Sequence, residues 1–326
     1  MVTSVAAFDL IAIGRISVDL YAQQADASFA DQQTFIKSIG GSPTNVAVAA
    51  ARLGLRSGLA TAVGDDELGQ YALGKLVELG VRTDFVQRAS GVPTPLVLAS
   101  RKPPEEPPIL FFRDPRAPDT RLRESDVPDF QIRDCGLLWT SGSALAVGST
   151  AEAMRAWMSV RARRAVALDL DYRPALWSSM RDAREHARQA IALASVVIGN
   201  RAECQMALGV EDPDAAADAL LEQGVEVAIV KMGPHGSMLA TAQARVSVPT
   251  IPVEVVCGLG AGDAFGGALA YAILHGMDPT SCLQLANGAG ALVASRPTCA
   301  DDMPSLDELR SFLAEAGIDG LWGASR

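Results

Sequence analysis

Short, continuously apolar runs recur along this chain, and stretches with helical periodicity lie between them, for example at 149–164 and 212–224. Apolar runs without polar alternation suit strands that are buried on both faces. Strands that alternate with helices build a parallel sheet, so the pattern predicts an α/β domain with helices on both faces of a mostly parallel sheet. The apolar runs are FDLIAIGR (8–15), GLLWTSG (136–142), AVALDLDY (165–172), SVVIGN (195–200) and VEVAIVKMG (225–233).

Two regions, about 15–40 and 92–115, break this rhythm with short alternating pieces such as TFIKSI, TPLVLAS and ILFFR. The segment RKPPEEPP at 101–108 must be a solvated turn, because four prolines cannot join a helix or a central strand. We expect these pieces to form a small separate sheet, a lid over the edge where open α/β sheets bind ligands. One domain spanning 1–326 is predicted, with the lid strands inserted in it and a frayed tail at 320–326.

The segment SPTNVAVAAARLG at 42–54 predicts a helix with recognisable ends. Ser42 is expected to cap it, Pro43 suits the first turn, and Gly54 can end it.

Charge and cysteine usage narrow the classes of function. The formal net charge of -10 argues against non-specific binding of nucleic acid, so an anionic ligand must be held by local groups. Five widely spaced cysteines without a CxxC pair favour reduced thiols over disulfides or a zinc site. No apolar run approaches the length of a membrane span. We expect a cytoplasmic protein without a membrane or nucleic-acid partner.

The stretch GLGAGD precedes the apolar segment AFGGALAYAIL. This places Gly260, Ala261 and Gly262 at a helix N-terminus, where free backbone N–H groups and the helix dipole favour an anion. Asp263 beside such an anion could take a proton from an attacking hydroxyl. It could equally be an N-terminal capping acid. The stretch is not a P-loop, because GxxxxGK[ST] is absent.

A second candidate site is GGSPTN at 40–45. Gly40 and Gly41 allow close approach of a ligand, and Asn45 offers hydrogen-bond donors and acceptors to a hydroxylated molecule. Asp19, after the first strand, could accept hydrogen bonds from sugar hydroxyls. The alternatives are a glycine turn that feeds a helix and a solvated acid at a strand end.

Taken together, GGSPTNVAVAAARLGLRSGLATAVG (40–64) and GLGAGDAFGGALA (258–270) resemble the two signatures of the ribokinase-like, or PfkB, carbohydrate kinase family. The resemblance covers about residues 8–316. It implies a three-layer α/β/α sandwich with a β-sheet lid, and ATP-dependent phosphorylation of a sugar alcohol group. It also implies that Asp263 is the general base and that residues 260–262 form an anion hole. A homodimer through the lid is a further implication.

The resemblance extends to the nucleotide and magnesium residues. NRAE at 200–203 matches the family element in which Asn200 and Glu203 place Mg²⁺ and phosphate, largely through water. KMGPHG at 231–236 matches the segment that lines ATP, with Lys231, Gly233 and Gly236 as nucleotide-binding residues, and Asn287 matches a position near the adenine. By pattern alone, NRAE is a capped helix start and KMGPHG a turn between strands.

The substrate class rests on a further pair of segments. LDLDYRPALW at 168–177 resembles the DxNxRxxLW element of family members that act on keto-deoxy sugar acids, with Asp171 in place of Asn. Arg173 could clamp phosphate or the substrate carboxylate, and the alternative is a surface or interdomain salt bridge. Arg113, at the end of ILFFR, resembles the carboxylate-binding arginine of the sugar-acid kinases of this family, and the alternative is a plain edge charge.

The finer resemblance is to the inositol-catabolism branch, which implies phosphorylation of the terminal hydroxyl of 5-dehydro-2-deoxy-D-gluconate. The alternative substrates are 2-keto-3-deoxygluconate and, for a fructokinase or ribokinase, a neutral sugar. A non-catalytic sugar- or nucleotide-sensing module would lack the base, and a Rossmann dehydrogenase would need GxGxxG after the first strand.

One position departs from the family. Many members carry Asp-Thr where this chain has Cys257 and Gly258, and that Asp helps form a monovalent cation site. The sequence therefore leaves potassium activation open. Cys257 has no local base, which favours a packing role.

Overall fold

The computed structural model describes residues 8–25, 27–113 and 116–321, and these ranges hold thirteen strands and ten helices. The strands are β1 (Leu10–Ile13), β2 (Ser17–Ala22), β3 (Phe35–Gly40), β4 (Ser57–Gly64), β5 (Val86–Ala89), β6 (Leu96–Ala99), β7 (Ile109–Phe112), β8 (Leu137–Ser141), β9 (Val166–Asp169), β10 (Val196–Asn200), β11 (Val227–Lys231), β12 (Ser237–Ala240) and β13 (Arg245–Val248). The helices are α1 (Ser42–Arg52), α2 (Glu67–Glu78), α3 (Asp129–Asp134), α4 (Thr150–Val160), α5 (Met180–Ile191), α6 (Arg201–Leu208), α7 (Pro213–Glu222), α8 (Ala261–Leu274), α9 (Pro279–Ala294) and α10 (Leu306–Glu315).

Nine strands form the central sheet in the order β13-β12-β11-β10-β9-β8-β1-β4-β5. The pairs from β11 through to β5 are parallel, and only β12 and β13 run antiparallel to their neighbours. The five apolar runs become β1, β8, β9, β10 and β11, so the predicted parallel sheet is confirmed. Because parallel strands share a direction, their carboxyl ends meet at one edge.

Two hydrophobic clusters cover the two faces of this sheet, which confirms the three-layer arrangement. Trp139 lies fully buried in one cluster and Trp157 is 1% exposed in the other. Helix α8 packs tightly on the first face, because a Cβ at Gly266 would lie 2.8 Å from the Trp139 ring and one at Gly267 would collide with Ala49 of α1. Small residues in α8 thus bring its N-terminus close to α1.

The lid is a four-stranded sheet in the order β3-β2-β6-β7. Strand β2 pairs antiparallel with β3 and parallel with β6, and β6 pairs antiparallel with β7. Its strands come from the two predicted regions, and residues 101–108 form no helix or strand, so the predicted separate sheet and its turn are confirmed. Residues 114 and 115 of the second region, and 322–326 of the predicted frayed tail, lie outside the described residues.

Helix α1 differs from the prediction at its N-terminus. The cap is Gly41, and Ser42 is the first helical residue and makes no capping bond. Gly41 adopts φ 101°, a conformation that brings the chain out of β3 and that glycine adopts without strain. Pro43 lies in the first turn and Gly54, at φ 98°, follows the helix end, as predicted.

The cysteines are buried with free thiols. Among the described residues, no helix is both long enough and apolar enough to cross a bilayer.

Candidate active site

The N-terminus of α8 is the centre of the candidate site. The helix begins at Ala261, as predicted, with Gly260 as its cap at φ 81°. A Cβ at Gly260 would lie 2.6 Å from the Cys299 sulfur, so both the backbone angle and the packing require glycine there. The N–H of Gly262 has no acceptor among the described residues. This free amide and the helix dipole create a place for an anion.

Asp263 lies in the first turn of α8 and accepts a 2.8 Å hydrogen bond from Asn45 Nδ2 of α1. Burial raises the pKa of the Asp263 carboxyl to about 6, with the hydrogen bond from Asn45 acting against that shift. The buried Oδ1 of Asn45 has no hydrogen-bond partner among the described residues. A carboxylate with this pKa can accept a proton near neutral pH, and the unpaired amide oxygen can accept a ligand hydroxyl.

A cavity of about 70 Å³, which we name the inner cavity, lies in front of Asp263 under the lid. It brings together residues from β2, the β3–α1 junction, α1, the segment after β9 and the start of α8. Six of the predicted site residues line it: Asp19, Gly41, Asn45, Arg173, Gly260 and Asp263. Asp19 accepts hydrogen bonds from Ser17 and Tyr21, and burial raises its pKa to about 6. Gly40 lies beside it, since a Cβ there would collide with the Asp19 carboxylate.

A cavity of about 570 Å³, which we name the outer cavity, lies on the other side of the α8 N-terminus. Its lining contains the predicted nucleotide residues together with two anion-hole residues: Lys231, Gly233, Gly236, Asn287, Ala261 and Gly262. The Asn287 side chain bonds Ser237 Oγ and the carbonyls of Val248 and Pro249, so it holds the wall of the cavity. The two cavities meet at the start of α8.

Two carboxylates at and just after the end of β9 form ion pairs. Asp169 pairs with Lys231 Nζ at 3.2 Å, and Asp171 pairs with Arg173 Nε at 2.9 Å. Burial of Lys231 opposes its charged form, but the nearby carboxylates, Asp169 first, raise its pKa overall. A Cβ at Gly262 would lie 3.6 Å from Lys231 Nζ. The ammonium is therefore next to the anion-binding backbone.

Asp171 occupies a different place from the one expected of a sugar-binding residue. Its buried carboxylate accepts hydrogen bonds from Arg15, Ser141, Ser143 and Arg173, and it lines none of the cavities described. The arginines and serines hold its pKa down to about 2 despite burial. The structure thus makes Asp171 an anchor for two arginines.

Arg113 lies beyond the inner cavity, in a cavity of about 390 Å³ between β7 and the segments after β8 and β9. We name this the lid cavity; its charged lining residues are Arg15, Arg113 and Asp119. Arg113 Nη2 donates to Asp119 Oδ1 at 2.6 Å. Arg15 lines both the lid cavity and the inner cavity and so joins them.

Asn200 and Glu203 form a capping box at the start of α6, as the pattern alone indicates. Glu203 is buried and accepts hydrogen bonds from the backbone N–H groups of Asn200 and Tyr172, and its burial raises its pKa. No cluster of three or more metal-binding side chains occurs within the described ranges.

Sequence reasoning missed Arg15, Asp119 and Asp169. A signal existed for Arg15 and Asp169, because each stands at the carboxyl end of a buried strand, where ligand-binding residues of parallel sheets collect. Asp119 lies in a short turn at 118–120 whose position no local pattern reveals.

Comparison with known proteins identifies the family. The pattern of a pfkB family carbohydrate kinase matches residues 7–306. The chain belongs to this family. This pfkB kinase is 32% identical over 313 residues to a Geobacillus thermodenitrificans protein named 5-dehydro-2-deoxygluconokinase. The alignment covers 94% of this chain and 93% of the relative. It is 31% identical over 318 residues to a Bacillus cereus protein named 5-dehydro-2-deoxygluconokinase 1, covering 95% of this chain and 96% of the relative.

Solved structures agree with this assignment. The fructokinase with bound ATP from Xylella fastidiosa matches with a TM-score of 0.84 and 27% identity, over 94% of this chain and 98% of that one. A Vibrio cholerae fructokinase in a fructose, ADP and calcium ion bound form matches with a TM-score of 0.82 and 26% identity, over 93% of this chain and 98% of that one. The ribokinase-like fold is confirmed, and the pfkB kinase is an ATP-dependent carbohydrate kinase.

Gly41→Ala is expected to raise the KM for the sugar and to leave the KM for ATP unchanged. A Cβ at Gly41 would collide with the carbonyl oxygen of Arg15, and φ 101° adds backbone strain of about 1–3 kcal/mol. Steady-state kinetics and thermal unfolding measure both effects. Gly54→Ala is the matched control, because Gly54 has φ 98° and no atom within 4 Å of its Cβ position. Equal sugar KM values in the two variants would contradict the expected contact.

Proposed function

We propose that this kinase transfers phosphate from ATP to the terminal hydroxyl of a keto-deoxy sugar acid, 5-dehydro-2-deoxy-D-gluconate, a step of inositol catabolism. The observation that carries the proposal is the contrast between two adjoining cavities. The inner cavity holds hydroxyl acceptors, namely the carboxylates of Asp19 and Asp263 and the free Oδ1 of Asn45. The lid cavity holds Arg15 and Arg113 against one carboxylate, Asp119.

This contrast matches the two ends of a sugar acid. Around the lid cavity and its junction with the inner cavity, three arginines (Arg15, Arg113 and Arg173) face two carboxylates, Asp119 and Asp171, which leaves one positive charge uncompensated in a protein of net charge -10. A carboxylate placed there gains charge-assisted hydrogen bonds, while the hydroxyl end reaches Asp263. Asp171 contributes by holding Arg173 at the inner cavity rather than by touching the sugar. A neutral ketose leaves the extra positive charge unpaired.

The reacting hydroxyl lies in front of Asp263 in this proposal. Asp263 takes its proton as the hydroxyl oxygen forms a bond to the γ-phosphorus, and the bond from that phosphorus to the bridging oxygen of ATP breaks to release ADP. The backbone N–H groups of residues 260–262 and the ammonium of Lys231 stabilise negative charge on the transferring group. Asn45 orients Asp263 through its 2.8 Å hydrogen bond.

The nucleotide lies in the outer cavity, along Gly233 and Gly236, with the base toward the wall that Asn287 supports. Mg²⁺ would neutralise phosphate charge. It keeps several water ligands and few protein ones, which fits a site where Glu203 is engaged with backbone amides. Asn200 and Glu203 would act on it through water.

The names of the relatives support the substrate, since both proteins at 31–32% identity are named 5-dehydro-2-deoxygluconokinases. The second candidate is a neutral ketose, because fructokinases are among the structural matches. 2-Keto-3-deoxygluconate is an isomeric acid, so comparing its turnover with that of 5-dehydro-2-deoxy-D-gluconate tests whether the enzyme distinguishes the position of the keto group.

An ADP-release assay over these three acceptors, each with and without potassium, tests the proposal. We expect 5-dehydro-2-deoxy-D-gluconate to give the highest kcat/KM. Faster turnover of fructose than of both acids would overturn the acid assignment. The potassium arm shows whether Cys257 and Gly258 have replaced the cation site of other family members.

A further inference from the structure

The backbone of Arg15 is held in place by hydrogen bonds at its own carbonyl and at the N–H of the next residue. Thr44 Oγ1 of α1 donates a 2.9 Å hydrogen bond to the Arg15 carbonyl, against which Gly41 packs closely. The next residue, Ile16, donates its backbone N–H to Asp119 Oδ2 at 3.1 Å. The backbone of Arg15 is thus fixed by α1 and by the carboxylate that binds Arg113.

The guanidinium of Arg15 is anchored through two of its three nitrogens. Nε donates to Ser143 Oγ at 2.9 Å, and Nη2 donates to Asp171 Oδ2 at 3.3 Å. The third nitrogen, Nη1, has no hydrogen-bond partner among the described residues, although Arg15 is only 7% exposed. Because Arg15 lines both cavities, this nitrogen is available to donate to a ligand there.

The two other arginines are placed differently. Both terminal nitrogens of Arg113 face the buried Asp119, so its charge is already paired. Arg173 lines the inner cavity alone, and its side chain is 44% exposed. Arg15 is the one arginine of the three that lines both cavities.

We propose that Arg15 is the main specificity-determining residue for the acid: its Nη1 binds the substrate carboxylate at the junction of the inner and lid cavities. The inference rests on the proposed function, because it assigns the carboxylate of that substrate to one residue. Ser143 and Asp171 are positioning residues that orient the guanidinium. Arg113, whose charge is paired with Asp119, does not bind the carboxylate directly in this proposal.

The test is a cycle of two enzymes and two acceptors. The enzymes are wild type and Arg15→Gln, and the acceptors are the sugar acid and its carboxamide, which keeps the hydroxyls and loses the charge. We expect Arg15→Gln to lower kcat/KM for the acid by about 10–100-fold and for the carboxamide by less than about threefold, as a lost charge-assisted hydrogen bond predicts. Arg188→Gln, an exposed arginine paired with Glu185, is the control.

Other outcomes separate the possible failures. Equal losses on acid and carboxamide would show that Arg15 acts only through Asp171 and would overturn the proposal. If Arg113→Gln alone were acid-selective, the carboxylate would belong to Arg113, which also overturns it. If wild type phosphorylated neither sugar acid, the proposed function itself would fail.

Arg15→Lys guards against misfolding of Arg15→Gln. Lysine keeps the charge for Asp171 but cannot donate to Asp171, Ser143 and the substrate in the arginine geometry. We expect it to show a melting temperature near that of wild type and at least about a tenfold loss of acid-over-carboxamide preference. An unchanged preference would contradict the assignment.

Discussion

Asp263→Asn is expected to lower kcat by about 10²–10⁴-fold, the usual contribution of a general base. Asparagine keeps the shape and can still bond Asn45, but it cannot take the proton of the sugar hydroxyl. Substrate and ATP binding should change little, because the backbone of the α8 N-terminus is unaltered. Steady-state kinetics with ADP detection measures the loss. Asp307→Asn, an exposed acid in the first turn of α10, is the control and should be silent.

The raised pKa of Asp263 adds a pH dependence to this prediction. Only the ionised carboxylate accepts a proton, so kcat/KM of wild type should fall below pH about 6. The pKa of Asp263 in the folded protein lies above the ordinary value of 3.8, so the fold disfavours ionisation and loses stability as the pH rises through this interval. Asp263→Asn has no such ionisation, so its melting temperature should rise relative to that of wild type as the pH increases from 4 to about 7. Intact turnover in the variant would refute the base assignment.

Lys231→Met should lower kcat by about 10²–10³-fold, comparable to the removal of an oxyanion donor. The ammonium lies beside the anion-binding backbone, and a Cβ at Gly262 would be 3.6 Å from it. In the proposed mechanism its charge offsets the developing charge of the phosphoryl group. The substitution also leaves Asp169 buried without its cation, so the protein should lose stability.

A double variant separates these two effects. Lys231→Met with Asp169→Asn removes the unpaired charge, so the melting temperature should recover while kcat stays low. Arg245→Met is the matched control, since this cation of β13 pairs with the exposed Asp214 and Asp218 and lies away from α8. Recovery of kcat in the double variant would show that Lys231 matters only for folding.

Much of this fold is predictable because its signals are local. Buried parallel strands read as unbroken apolar runs, and β8, β10 and β11 fall within the predicted segments. The start of α8 was predictable because a glycine-rich turn before an apolar periodic segment has few other solutions. The cap of α1 was misplaced by one residue, because φ 101° at Gly41 is imposed by its packing against Arg15 and not by the local sequence.

The site was only partly predictable, because the role of each charged side chain depends on hydrogen-bond and ion-pair partners that are distant in the sequence. Asp171 and Asp263 look alike in the sequence, yet four donors keep the pKa of Asp171 at about 2, while burial raises that of Asp263 to about 6. Arg15 is a candidate by its place after the buried strand β1, but the local sequence does not reveal its partners. Its importance appears only when β1, the segment after β8 and the segment after β9 bring Ser143 and Asp171 to it.

In the proposed function, the acceptor is a sugar acid whose carboxylate is bound opposite Asp263. Competition measures this most directly. Equimolar 5-dehydro-2-deoxy-D-gluconate and fructose, with ATP limiting, are incubated with the enzyme, and the phosphorylated products are quantified by mass spectrometry. We expect the sugar-acid phosphate to dominate, with the phosphate on the terminal carbon. Predominance of fructose phosphate would contradict the claim.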